Sequence, residues 1–157
     1  MNLEFRHINH DSYEEMREFL ITHEFSWRDS DPLGFVPKTE EKRDHSAKYF
    51  MEEFKKPELK FCGICAFDGD KIAGSHFIEI QKIDGMRAAH IHGLWVDQSY
   101  RGNGIARRLK EMGEVWSREQ NCVLMDSNVR VSNVSMITLN KKMGYEIARY
   151  NFRKKLL

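Results

Sequence analysis

The residues in this 157-residue chain best placed to do chemistry lie in one short turn, Arg101-Gly102-Asn103-Gly104-Ile105-Ala106-Arg107. A hydrophobic stretch ends at Val96 before it, and helical spacing begins near Gly104. Glycine lets a backbone turn tightly and approach a ligand closely, with N–H groups pointing outward. The first N–H groups of a helix have no intrahelical partner, and the helix dipole adds positive potential there. Such a turn stabilises an anion, and a pyrophosphate suits it. Arg101, Arg107 and Arg108 add full charges. A plain strand-to-helix connection would carry the same glycines, so the turn alone does not decide. Two familiar phosphate patterns are excluded. The sequence has no GxxxxGK[ST]. Gly102-Asn-Gly104-Ile-Ala-Arg107 lacks the third small residue of GxGxxG, and no initial βαβ unit surrounds it.

Cys62-Gly63-Ile64-Cys65 has the spacing of a redox or zinc motif, but KFCGICAF reads as a strand. Residues three apart on a strand point to opposite faces. No second Cys-x-x-Cys completes a tetrahedral zinc site, so no metal is expected. Three cysteines also argue against a disulfide framework. The net charge of +1 names no partner. Arg149, Arg153, Lys154 and Lys155 make the C-terminus basic; they read as protection of a solvated strand edge rather than a nucleic-acid surface. No apolar run approaches the ~18 residues of a membrane span. The stretch MNLEFRHINHD lacks the apolar core of a signal peptide. The expectation is a cytoplasmic protein with no membrane partner.

The elements that must position the turn follow from periodicity. Leu3 to Ile8 reads as a strand, and Asp11 or Ser12 caps a helix running to about His23. Glu24 to Pro37 reads as an aromatic loop, and Glu40 to Phe54 as a second helix. Alternation then marks strands at Lys60–Phe67, Ile72–Gln81 and Arg87–Val96, joined by short turns. Ile105, Leu109, Met112 and Trp116 form one helical face. A strand starts at Val123–Met125, Ser132–Met143 is a helix stopped by Gly144, and Tyr145–Leu156 supplies final strand material. No linker or repeat divides the chain, so residues 1–157 form one domain of α/β (α+β) class. Its sheet is mixed, with one βαβ crossover.

The turn matches the R/Q-x-x-G-x-G/A signature of the GNAT acetyltransferases, and Asn133-Val-Ser-Met-Ile-Thr-Leu-Asn140-Lys-Lys-Met-Gly144-Tyr145 resembles that family's N-x-x-A-x-x-L-Y-x-x-x-G-F/Y segment. Together the two motifs span residues 88 to 145. The resemblance implies a mostly antiparallel sheet of about six or seven strands, about four helices, and a splayed parallel strand pair around acetyl-CoA. It implies that the backbone of Leu94, Trp95 and Val96 bonds the pantetheine amides, that Arg101 to Arg107 hold the pyrophosphate, and that Asn133 lies near the pantetheine. Gly93 within the strand independently suggests a bulge there. Asn133 also suits an ordinary N-cap.

The implied reaction is direct attack of an amine on the thioester, which needs a proton acceptor. His90 and His92 are the candidate bases. An imidazole titrates at about 6.5, and residues two apart on a strand share a face unless a bulge intervenes. Glu79 and His76, on the adjacent strand, are alternates or relay partners; ordinary hydrogen-bonded sheet residues would look the same. Asn140 stands where the family has its usual general-acid tyrosine, and an amide cannot supply that proton. The resemblance places acceptor specificity in the N-terminal helices and their connection. There Phe25, Trp27, Asp29 and Asp31 offer aromatic faces and carboxylates to a cationic amine, or simply pack a loop. Met143 to Leu156 is similar to the ending of aminoglycoside 6′-N-acetyltransferases, and His90-Ile-His-Gly-Leu-Trp-Val96 resembles their E-G-x-Y-V strand. Val129-Arg-Val-Ser-Asn133 looks instead like protein N-terminal acetyltransferases. The expected acceptor is a small polyamine or amino sugar. A protein N-terminus and a non-catalytic acetyl-CoA sensor are the alternatives, and an exposed final strand could pair two subunits.

Overall fold

Ser12 opens the first helix: its Oγ accepts from the Glu15 N–H at 3.2 Å, and helix α1 runs Tyr13–Ser30. The computed structural model describes residues 2–58 and 60–157. Strand β1 (Glu4–His7) precedes α1, and α2 (Glu40–Phe54) follows it, capped by Thr39. Then come β2 (Phe61–Asp68), β3 (Lys71–Ile83) and β4 (Met86–Val96), a single 3-10 turn at Gln98–Tyr100, α3 (Ile105–Glu119), β5 (Leu124–Ser127) and α4 (Val134–Lys142).

Among the described residues the sheet has five strands in the order β1-β2-β3-β4-β5. The first three pairings are antiparallel and β4–β5 is parallel, as a βαβ crossover through α3 requires. Two cores lie on its faces. Beneath α1 and α2 pack Met16, Phe19, Phe54, Cys65 and Phe77. Beneath α3 pack Cys62, Ile64, Ile78, Leu109 and Trp116. Cys62 and Cys65 thus serve opposite faces, as their spacing on a strand requires.

Three expectations are corrected. The segment from Glu24 is helix, not loop, as far as Ser30. Glu24 is buried and bonded by Arg43, and Phe25 packs on Trp95, so tertiary contacts carry the helix onward. It stops where Pro32 disfavours helical backbone at Asp31. Among the described residues the sheet has five strands rather than six or seven. Tyr145–Leu156 is not a strand: it carries no ladder, and Ile147, Tyr150, Phe152 and Leu156 are exposed. A strand needs a neighbour to share its hydrogen bonds, and β5 is only four residues long. Gly144 ends α4 as expected, at φ +85°, with the Tyr145 N–H donating to Asn140 O and Gly144 N–H to Lys141 O. These are the two bonds of a Schellman cap.

Candidate active site

The glycine turn takes the conformation its composition implies. Gly102 and Gly104 have φ of +80° and +74°, where a Cβ is disfavoured. A Cβ at either position would meet no atom within 4 Å, so the backbone here is open. Asn103 braces the turn by donating its amide to Tyr100 O and Arg101 O. Gly104 caps α3, whose first i to i−4 bond runs from the Arg108 N–H to Gly104 O. The N–H groups of the first turn therefore face outward. Ile105 is buried and anchors the helix start against Gly74.

Beside the turn the sheet opens. The β4–β5 ladder pairs Ala88 with Leu124 through Ile91 with Ser127 and stops there, while β4 continues against β3 to Val96. The edge of residues 92–96 that faced β5 is thus released. The register between β3 and β4 slips at the same place: Gly93 pairs with Phe77 but Ile91 with Ile78, leaving His92 as the extra residue of a bulge. Gly93 is required there, because a Cβ would come within 2.5 Å of His23 Nδ1. His76 holds the bulge from the other face, its Nδ1 lying 3.2 Å from Gly93 O.

His90, His92 and Glu79 come together under α1. His90 pairs across the ladder with Glu79 and with Asp126, and opposed residues share a face. His90 Nδ1 lies 2.8 Å from Asp126 Oδ2. His92 Nε2 bonds Glu79 Oε2. The two imidazoles meet edge to face with centroids 5.4 Å apart. Burial pushes the Glu79 carboxyl up, but hydrogen bonds from His92, Gln81 and Lys60 outweigh it and hold the group below the ordinary range. His76 does not join them. It points beneath α3, fully buried, and burial pushes it down to about 3, so it stays neutral.

The expected acceptor residues divide. Phe25 packs against Trp95 with the rings tilted by 51°, and Asp29 accepts from Trp95 Nε1 and Arg101. They line a cavity of about 470 Å³ with Arg28 and Asp97. Trp27 and Asp31 line a separate cavity of about 300 Å³ with Glu24 and Phe35. Asp31 is bonded by Arg130 at 2.9 Å. Val96 O accepts from Arg101 Nε. Asn133 caps α4, its Oδ1 accepting from the Met136 N–H at 3.2 Å. Asn140 is buried, and its Oδ1 has no partner among the described residues.

Two site residues escape sequence reasoning. Asp126 lies 36 residues from His90, and only the parallel register brings them together. His23 sits within α1 rather than at its end, beside His92 and Phe77. Burial, and then the nearness of His92, push it down to about 4. Its Nε2 accepts from Trp27 Nε1, and its Nδ1 has no partner among the described residues.

Solved structures share this architecture. An aminoglycoside acetyltransferase from an uncultured soil metagenomic sample superposes with a TM-score of 0.73 at 17% identity, covering all of both chains. An acetyltransferase of Trypanosoma brucei gives 0.67 at 19% identity, over 99% of this chain and 100% of that one. A second soil-metagenome aminoglycoside acetyltransferase, in complex with sisomicin, gives 0.70 at 10% identity, over 98% and 97%. At these identities the likeness is one of fold. No curated protein matches the sequence. The model of the acetyltransferase (GNAT) family matches residues 23–145, which take in α2, the forked strands, the glycine turn and the helix capped by Asn133. The chain belongs to the GNAT acetyltransferase family.

Proposed function

We propose that this protein transfers an acetyl group from acetyl-CoA to a primary amine on a small molecule of the polyamine or amino-sugar class. The observation that carries the reading is the coincidence of three features at one end of β4: the fork, the open glycine turn, and two histidine–carboxylate pairs. The donor fits the residues present. The outward N–H groups from Gly102 to Arg107 suit a pyrophosphate, with Arg101 and Arg107 adding charge. The released edge of Leu94, Trp95 and Val96 offers backbone groups to pantetheine amides, and the Asn133 amide lies at the start of the next helix. When bound, acetyl-CoA supplies an activated acetyl group whose transfer forms a C–N bond, breaks the C–S bond and releases the CoA thiol.

The chain's own residues supply the proton handling. An alkylamine arrives largely protonated at neutral pH, and the His90 and His92 pairs, with Glu79, are placed to take that proton. A thiolate is a good leaving group, so Asn140 in the acid position does not bar turnover. The small-molecule acceptor is supported by the cavity beside Phe25, Asp29 and Trp95, next to the fork. Aminoglycoside acetyltransferases among the structural neighbours point the same way.

Calorimetric titration with acetyl-CoA, followed by thiol-release assays on polyamines, aminoglycosides, amino sugars and peptides, tests this. The expected result is binding, with amine-dependent thiol release that weakens in His90→Ala and His92→Ala. Release with peptides alone would shift the acceptor to protein N-termini. Binding without turnover on any amine would favour an acetyl-CoA sensor, the reading that buried Asn140 supports. Absence of binding would refute both.

A further inference from the structure

We propose that Asp126 is the positioning residue of the reaction and that His90, held by it, is the catalytic base. This rests on the acetyl-transfer reading above. An ionised carboxylate only accepts hydrogen bonds, so Asp126 Oδ2, 2.8 Å from His90 Nδ1, places the imidazole hydrogen on Nδ1. The lone pair is then on Nε2, at the far end of the ring. No described residue hydrogen-bonds that nitrogen, and it is not among the enclosed polar atoms. His92 is held the other way. Glu79 takes its Nε2, leaving the lone pair on Nδ1 beside the backbone.

The two carboxylates also differ in what they have left to give. Glu79 already serves Gln81 at 2.8 Å and Lys60 at 3.2 Å besides His92. Its charge is largely answered before any proton arrives. Among the described residues, His90 is the one side-chain partner of Asp126. Both members of that pair are mostly shielded from water, at 17% and 18% exposure. A proton passing from the acceptor ammonium to His90 Nε2 therefore makes an imidazolium whose countercharge is in contact and weakly screened. The pair stands one rung before the ladder ends at Ile91 and Ser127, so it is fixed at the base of the fork. The His92 ring meets the His90 ring edge to face. His92 with Glu79 is then the wall that holds His90 in place.

The test combines kinetics with imidazole NMR on the full chain. Asp126→Asn should lower kcat by at least about tenfold, a share of what a positioned base contributes, with the KM for acetyl-CoA unchanged. Asp126→Glu should recover part of the loss. In wild type, ¹⁵N shifts should report His90 as the Nδ1–H tautomer with a downfield Nδ1 proton, and Asp126→Asn should lose that resonance. Acetyl-CoA titration of the variant reports separately on folding and the donor site. Unchanged kcat in Asp126→Asn, or an Nε2–H tautomer at His90 in an active wild type, overturns the role of Asp126 alone. A wild type that binds acetyl-CoA but acetylates no amine overturns the transfer reading and this role with it.

Discussion

Replacing Lys110 by methionine should stabilise this protein at neutral pH. Lys110 is on α3, fully buried, with Nζ 4.0 Å from the centroid of the Tyr145 ring and no hydrogen-bond partner among the described residues. Burial pushes its ammonium down from 10.5 to about 8, with Glu114 opposing part of the fall. At about 1.36 kcal/mol per pH unit, the difference 10.5 − 8 corresponds to about 3 kcal/mol set against the folded state. The cation–π contact offsets about 0.5–2 kcal/mol, and a methionine thioether on the same ring restores about 0.3–1.5 kcal/mol. A net gain of about 1–4 kcal/mol is expected for Lys110→Met near pH 7. The sign fixes the pH window. Between about 8 and 10.5 the unfolded chain holds the lysine proton and the folded chain does not. The Lys110 contribution to wild-type stability should therefore rise with pH through that window, by linkage; the difference between the two proteins isolates it from the buried Cys62 and Cys65 thiols, whose raised pKa values act the other way in both. The variant's advantage is full below the window and shrinks above it to what the methionine–ring contact supplies. His76 and Tyr145 stay neutral throughout, one pushed down and the other up by burial. Urea unfolding of both proteins from neutral pH to above the window measures this. A variant that is less stable at pH 7, or a difference that ignores pH, would show that the amine is paired and refute the reasoning.

Two substitutions test the scaffold elsewhere. Gly104→Ala at φ +74° should cost about 1–2 kcal/mol of backbone strain and weaken acetyl-CoA binding, read by thermal unfolding and calorimetry. Gly104→Asn should be milder, because asparagine tolerates this backbone. Gly113→Ala would place a Cβ within 2.7 Å of His76 Nε2 and Ile78 Cδ1; overpacking of this kind costs about 1–3 kcal/mol, visible as a lower Tm.

What the sequence made legible was local. The glycine turn, the Gly144 cap, the Asn133 cap and the α3 face all follow from residues within one or two turns of chain. The bulge was readable from Gly93, because a glycine in a strand marks a position where a side chain will not fit. Helix α1 reads as ending near His23, because Pro32, Gly34 and Pro37 mark a loop whose start does not show in the sequence until Glu24 finds Arg43 and Phe25 finds Trp95. The basic, aromatic tail alternates like a strand from Tyr150 onward, but alternation says nothing about whether a neighbour is present. Asp126 was invisible for a different reason. A histidine–carboxylate pair between parallel strands is fixed by register, and register across a crossover is set by how α3 packs, not by any motif.

The bulge joins the two cores, and that makes His76 more than a buried histidine. From the α1 face, His23 closes over Gly93; from the α3 face, His76 donates Nδ1–H to Gly93 O. The extra residue that this arrangement accommodates is His92, and His92 bears on His90. His76→Leu fills a similar volume but removes that donor. Its effect on stability should be small, because two terms oppose. Gly93 O loses its side-chain partner, while the unpartnered Nε2 of His76 disappears as well, each worth about 1–3 kcal/mol. Its effect on turnover should not be small, because the bulge is then free to relax and carry both histidines off the fork. A Tm close to wild type with a marked fall in kcat is the expected pair of results, from thermal unfolding and the thiol-release assay. Unchanged kcat would mean that Gly93 and the β3–β4 register hold the bulge unaided.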